Sequence, residues 1–404
     1  RNQSGNYAST NTITDCFCTT IRKRASKIGS STIHFDEVTK KRIYESIDTT
    51  NFNDVRILKD SYRQLKYKLG RIPSLKEFDE HGEIDVLRIF DHSSLGSYYR
   101  FLVKYEEDYK VRISEKGAKY LEFISKKFAS GKRVHELQML KRMLTISHRF
   151  GLLSKLEQDL KKEFDIQISG ITKDNIVNMM TNEFATGTGK ETYSECVFIE
   201  KNENDYKISK GFSHELEDIY FYQMVQEVVD FGLIRYQENY SKRYQDTNFQ
   251  LYAKYTYDDV CRILEWEKGA VALNIGGYKF DEKTKTYPVF INYHKEDSIQ
   301  DTVKYEDRFT DNSRLIAISK SGRTLESQDV KIALNAEKMG VQMNLFVRKN
   351  KDDKTSKEFY YLGKIKATGN TREFLMPNTQ KNAVEIEYHL DTPIKEDIYE
   401  YLIQ

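Results

Sequence analysis

The apolar positions of this chain keep a helical rhythm from residue 36 to about 250 and alternate in β-type runs beyond it. Asp36 can cap a first helix carrying Val38, Ile43 and Ile47. Val55, Leu58, Tyr62, Leu65 and Leu69 are spaced by three and four, which predicts an amphipathic helix that Gly70 and Pro73 end. Ser74-Leu75-Lys76-Glu77 is a capping-box signature for a short helix. Asp85 opens another that would bury Val86, Ile89 and Phe90. Gly96-Ser97 then restarts the chain into a helix with Tyr98, Phe101, Leu102 and Tyr105. Short helices joined by tight turns, here over residues 31–110, are the format of helix-turn-helix units and equally of any small helical bundle.

Residues 111–250 read as a second helical domain with a β-hairpin. Ser114 caps a helix through Phe128, and Gly131 separates it from a helix at 133–149 with Leu137, Leu140 and Leu144. A further helix at about 172–184 carries Ile176, Met179 and Met180. A strand at 194–199, a turn at 202–205 and a returning strand at 206–208 make the hairpin. Ser213-His214-Glu215 starts a long helix through Val225, Val228, Val229 and Leu233. Helices followed by a hairpin resemble a winged-helix arrangement. From 251 to 404 the pattern becomes a helix near 257–267 and β-type runs at 273–280, 287–293, 315–319, 344–348, 359–366 and 383–390, with helices at 327–338 and about 395–402. The expected fold class is α+β and multidomain: N-terminal helical units, helix-turn-helix and winged-helix-like, followed by a C-terminal mixed β-barrel-like domain. Residues 1–30, rich in Ser, Thr, Asn and basic residues without apolar periodicity, read as a poorly ordered terminus.

Charge changes this picture only once it is divided. Lys and Arg number 64 against 62 Asp and Glu, so the 404-residue chain has a net charge of +2. Residues 1–30 carry +4, 31–110 carry −1, 111–168 carry +6, 169–250 carry −6 and 251–404 carry −1. Near-neutrality is thus an average over a basic and an acidic stretch. The basic one, with Lys126, Lys127, Lys132, Arg133, Lys141, Arg142 and Arg149 on its helices, has the electrostatic footprint of phosphate-backbone contacts. A solvated helix face would look the same. Cys16, Cys18, Cys196 and Cys261 are too few and scattered for a disulfide framework and suggest a reducing, cytoplasmic setting. No stretch approaches the ~20 apolar residues that span a bilayer, so no membrane partner is expected. The start, Arg1-Asn2-Gln3-Ser4-Gly5, has no signal region and no methionine, as expected of a fragment of a longer chain.

Most candidate chemistry fails on spacing. Phe184-Ala185-Thr186-Gly187-Thr188-Gly189-Lys190-Glu191 partly matches a phosphate-binding loop, but Phe184 stands where a glycine is needed and Glu191 where Ser or Thr would hold Mg²⁺. The Cys16-Phe17-Cys18 pair has no second ligand pair for zinc. Asp281-Glu282-Lys283 matches half of a nuclease motif but lies in a hairpin turn without an acidic partner, and reads as a charged turn. No catalytic residue, metal ligand or cofactor is assigned. What remains is a C-terminal cluster: Asn274-Ile275-Gly276-Gly277-Tyr278, Tyr293-His294-Lys295, Lys304-Tyr305-Glu306-Asp307-Arg308-Phe309 and Ser319-Lys320-Ser321-Gly322-Arg323-Thr324. Aromatic faces beside basic donors suit single-stranded or flipped bases, although tyrosines at strand spacing are more often core.

These same runs carry a resemblance. Gly276-Gly277-Tyr278-Lys279, Pro288 through Lys295, Thr302 through Phe309, Arg323-Thr324-Leu325-Glu326-Ser327 and Phe359-Tyr360-Tyr361-Leu362-Gly363 resemble an uncharacterised domain at the C-terminal end of bacterial superfamily II (DEAD/DEAH-type) helicases and restriction-like proteins. Gly29 through Glu37, Gly70-Arg71-Ile72-Pro73-Ser74 and Phe90 through Tyr105 are similar to the region following the second motor lobe of those helicases. Ile318 departs from the family, which often has an aromatic before that serine, and residues 1–28 match poorly. The resemblance implies that the chain is the part of such a helicase beyond its ATP-dependent motor, none of whose motifs it contains. Implied partners are DNA (or RNA), the motor and a phospholipase-D-like nuclease domain of the parent chain, in restriction or phage defence. The expectation is a nucleic-acid-binding accessory region. Its basic helices would contact the backbone, and Tyr278, His294, Lys295, Tyr305, Arg308, Ser319, Ser321 and Arg323 would read a feature such as an end or a modified base. The alternative is a protein-interaction scaffold.

Overall fold

The computed structural model describes residues 55–403 except 83, 146–149, 268–276, 295–306, 351–356 and 377–378. The expected helix carrying Val38, Ile43 and Ile47 lies outside them. The chain divides into two compact units, Arg1–Ser241 and Lys242–Gln404.

In the first unit the three-and-four spacing folds as anticipated. Leu58, Tyr62 and Leu65 make the buried face of α1 (Val55–Leu69). Ser74 accepts the Glu77 N–H while the Glu77 carboxylate accepts that of Ser74, closing the capping box of α2 (Leu75–His81). The short α3 (Leu87–Asp91) is followed by α4 (Tyr98–Tyr105), capped by Ser97, and α5 (Glu115–Lys127), capped by Ser114. Then come α6 (His135–Met143), α7 (Leu152–Phe164), α8 (Gly170–Met180) and α9 (Gly187–Thr192).

The expected helix at 133–149 is therefore shorter, and α7 was not anticipated, although Leu152, Leu156 and Leu160 form its fully buried stripe. The hairpin is displaced as well. Residues 193–195 turn, and β1 (Ile199–Asn202) pairs with β2 (Asp205–Ile208). Asp205, at the hairpin turn, accepts the N–H groups of Leu153 and Ser154 at 3.0 and 3.2 Å, so its carboxylate caps α7 across the unit. Ser209 caps the short α10 (Lys210–Glu215), and Asp218 rather than Ser213 opens the long α11 (Ile219–Asn239). That helix packs on α2, α5 and α6, with Phe231 meeting Phe90 edge-on at 6.5 Å.

The second unit is one mixed sheet with flanking helices. Its strands are β3 (Lys254–Tyr255), β4 (Thr286–His294), β5 (Arg308–Asp311), β6 (Arg314–Ile318), β7 (Gln342–Asn350), β8 (Phe359–Leu375) and β9 (Asn382–Leu390). They run in the order β4-β7-β8-β9-β6-β5, with β3 also on β8. Only β4 and β7 are parallel among the described pairs. The curl comes from β8, whose first half pairs with β7 and whose second half pairs with β9. The register slips opposite Gly363 and again around Gly369, and both glycines hold positive φ (99° and 90°). Bulges that bend and over-twist a strand form most readily where no Cβ opposes them.

The hollow is filled by Phe249, Tyr255, Phe290, Phe346, Phe359 and Tyr361, with Phe290 stacked on Phe346 at 5.0 Å. Around the sheet lie α12 (Tyr257–Ile263), α13 (Gln328–Leu334) and α14 (Glu396–Ile403). The run expected at 273–280 falls mostly outside the described residues, its Tyr278 making a single bridge to Val289, while β5 was not anticipated. The architecture is thus an α+β multidomain fold, with a helical N-terminal region and a C-terminal sheet curled into a half-barrel. Among the described residues no helix is long and apolar enough to cross a membrane.

Candidate functional site

Alternation along β6 and β9 divides the C-terminal cluster between two faces. Ala317 opposes Ile386 and Leu315 opposes Tyr388, all buried on the concave face, whereas Ile318 opposes Glu385 on the other. A cleft of about 70 Å³ opens on the concave face, lined among others by Gly277, Tyr278, Asp307, Ala317, Ser319 and Tyr388.

Tyr278 forms one wall, its ring edge-on to Tyr287 at 5.6 Å. Its hydroxyl accepts the Lys320 N–H at 2.9 Å, and the Lys320 ammonium sits 4.8 Å from the ring centroid. Burial pushes the Tyr278 phenol up to about 12, and burial also lowers the Lys320 ammonium. Lys320 is therefore a cation held against an aromatic face in a partly dry setting. Arg323, in the same loop, donates to Asp329 at 2.7 Å. The loop is pinned at both ends: Ser319 N–H donates to Val384 O, and Gly322 N–H to Asn382 O, each at 2.8 Å.

Ser319 is buried. Its Oγ accepts the Val384 N–H at 2.9 Å and donates to Lys320 O, so its hydroxyl holds the loop onto β9. Ser321 is exposed at the turn. Asp307 accepts the Ile318 N–H at 2.8 Å.

Arg308 is on the opposite face. It reaches Glu385 at 3.2 Å, and Arg372 holds the same carboxylate at 2.8 Å. The sheet thus brings Tyr278, Ser319, Ser321 and Arg323 to one region and sends Arg308 away, because neighbouring residues in a strand point to opposite sides. His294 ends β4, while Lys295 and Tyr305 lie outside the described residues. Sequence reasoning left out Lys320, Asp307 and Tyr388. Lys320 and Asp307 stood inside the quoted runs, and Tyr388 reads as ordinary core.

The basic helices of the first unit are largely committed internally. Arg133 and Glu136 form a buried pair at 2.5 Å, their side chains 4% and 0% exposed, with Asn175 accepting a second bond from Arg133. Lys132 is buried too. Arg142 pairs with Asp159 at 2.8 Å, Lys126 with Glu122 at 3.0 Å and Lys141 with Glu163 at 3.2 Å. Lys127 is half-buried at the end of α5, and Arg149 lies outside the described residues. Buried or enclosed cations cannot present their charge to a phosphate, whereas exposed surface pairs exchange partners at little cost.

Other candidate chemistry is structural. The Asp281 carboxylate accepts the Thr284 N–H and hydroxyl, building the turn into β4. Cys196 and Cys261 are buried, which pushes both thiols up to about 12, away from nucleophilic or ligating thiolates. No group of three or more His, Cys, Asp or Glu residues among the described residues could hold a metal ion.

Residues 58–241 match a family described as a domain of unknown function (DUF8090), and residues 249–402 match another, also a domain of unknown function (DUF3427). Comparison with curated proteins finds no match. Each family match falls within one compact unit of the structure.

Proposed function

We propose that this chain is the nucleic-acid-binding accessory region of an ATP-dependent superfamily II helicase, acting on DNA in restriction or phage defence. In this reading the helical unit has helix-turn-helix and winged-helix-like parts that follow the phosphate backbone. The C-terminal barrel-like sheet reads a local feature of the strand. The observation that carries the reading is the Tyr278 cleft, whose aromatic wall has the Lys320 ammonium 4.8 Å from its ring centroid.

Base stacking and phosphate attraction call for that combination. About 70 Å³ is under half the roughly 150 Å³ of an apolar cavity that holds benzene. Such a recess suits the edge of a base or a small substituent on it rather than a whole ring. The resemblance to the regions beyond the helicase motor supports the same reading. In the first unit the cation best suited to backbone contact is Lys141, which is 47% exposed. Arg133 and Lys132 serve the fold.

A salt titration of duplex and single-stranded DNA binding by fluorescence anisotropy tests the proposal. Log affinity should fall linearly with log salt, and Lys320→Gln should flatten the slope by about one. Absence of binding at low salt sinks it. The scaffold reading has one observation of its own, exposed Ile219 and Tyr220 beside acidic Glu215, Glu217 and Asp218. Capture of a protein partner that survives nuclease treatment, with DNA binding absent, would establish it instead.

A further inference from the structure

A second cleft, of about 270 Å³, lies wholly within the helical unit and is unrelated to the Tyr278 cleft. Tyr98, Tyr99 and Tyr109 line it, with Pro73, Leu102 and Val228 among the apolar wall residues. Two of its hydroxyls are already engaged: Tyr98 donates to Pro73 O at 2.7 Å, and Tyr99 accepts the Ile113 N–H at 3.2 Å. Glu227 of α11 also lines the cleft. One of its carboxylate oxygens accepts the Leu75 N–H at 2.9 Å, and the other has no hydrogen-bond partner among the described residues. Arg71 stands at the mouth, but both its terminal nitrogens bond Glu77, at 2.9 and 2.5 Å, so its charge is answered there. The local balance of Arg71, Glu77 and Glu227 is one negative charge. Burial raises the Glu227 carboxyl, with Glu77 adding to the rise. A half-buried carboxylate with one oxygen open at an aromatic-walled cleft is a favourable partner for a cationic donor.

We propose that this cleft binds a small organic ammonium, whose N–H donates to the open Glu227 oxygen while its apolar body lies against Tyr98, Tyr99 and Tyr109. An anion is disfavoured because Glu227 faces it and Arg71 is occupied. The volume is ample for a substituted ring, since an apolar cavity of about 150 Å³ already holds benzene. Charge-assisted bonds to a partly dry carboxylate and the attraction of a cation to tyrosine faces act together there.

Calorimetric titration of the full chain with benzylamine, and with benzyl alcohol as the neutral isostere, tests it. Benzylamine should bind saturably and benzyl alcohol at least about tenfold more weakly, a difference of roughly one charge-assisted hydrogen bond. Glu227→Gln keeps an acceptor for Leu75 N–H and should lower benzylamine affinity about tenfold or more, with thermal unfolding showing that the fold persists. Should that variant not fold, Tyr109→Leu serves, with a several-fold loss expected. Equal binding of the two probes, unchanged binding by the folded variant, or no saturable benzylamine binding up to on the order of 10 mM overturns the proposal. None of these outcomes bears on DNA binding.

Discussion

Single residues divide by whether their charge or hydroxyl is already in use. Arg133 looks like its basic neighbours in the sequence, yet it is sealed against Glu136 and Asn175. Removing it strands a buried carboxylate, so Arg133→Ala is expected to destabilise the chain by about 3–5 kcal/mol in urea unfolding. It should not flatten the salt dependence of DNA binding in whatever fraction remains folded. Lys141, 47% exposed and paired with Glu163 on the surface, should behave oppositely. Lys141→Gln should leave stability within about 1 kcal/mol and should lower the salt slope. Ser319 resembles Arg133. Ser319→Ala leaves the buried Val384 N–H without its side-chain acceptor and should cost about 1–2 kcal/mol, measurable by chemical denaturation.

At the scale of the element, capping and backbone bulges decide what the apolar pattern only suggests. The capping box of α2 carries a pH signature. The Arg71 guanidinium, helped by the Ser74 backbone, holds the Glu77 carboxyl down at about 2, below its ordinary value. A depressed carboxyl stabilises the fold above its unfolded pKa and loses that contribution as the pH falls through the folded one. The stabilisation should therefore be intact at neutral pH and fade between about pH 4.5 and pH 2, and Glu77→Gln should flatten that part of the acid-unfolding profile.

In β8 the bulge at Gly363 is the sensitive point. Its φ is +99°, and an added Cβ would come within 3.3 Å of Leu251 and the Tyr244 ring. Gly363→Val is expected to lower the unfolding midpoint of the C-terminal sheet, while the same change at Gly369, where no atom lies within 4 Å, should act through backbone strain alone and cost less.

At the scale of the molecule the chain is two compact units, each with its own aromatic core: Tyr120, Phe198 and Phe212 in one, Phe290, Phe346 and Tyr361 in the other. The described strands of the half-barrel pair only within the second unit. Residues 242–404 expressed alone should therefore unfold cooperatively with near-ultraviolet circular dichroism in place. A fragment without that signal would show that this core depends on the helical unit.

The pattern of apolar spacing was sufficient for the succession of helices and then strands, and for several caps, such as Ser74, Ser97 and Ser114. These are local matters, settled by residues three or four positions apart. The stripe of α7 was equally legible, in the spacing of Leu152, Leu156 and Leu160, and was missed. What spacing could not reveal is which distant carboxylate meets each cation. Nothing near Arg142 in the chain announces Asp159, and nothing near Arg235 announces Asp79. Nor could it assign strand faces across the sheet. Arg308 and Phe309 are neighbours in one charged, aromatic run, but the register of β5 on β6 buries Phe309 opposite Leu315 and sets Arg308 on the other face, against Glu385. The sequence alone determined the elements, because backbone hydrogen bonds and capping are short-range. Only the tertiary structure decided which charges are spent and which remain open, because pairing and burial depend on residues brought together from far along the chain.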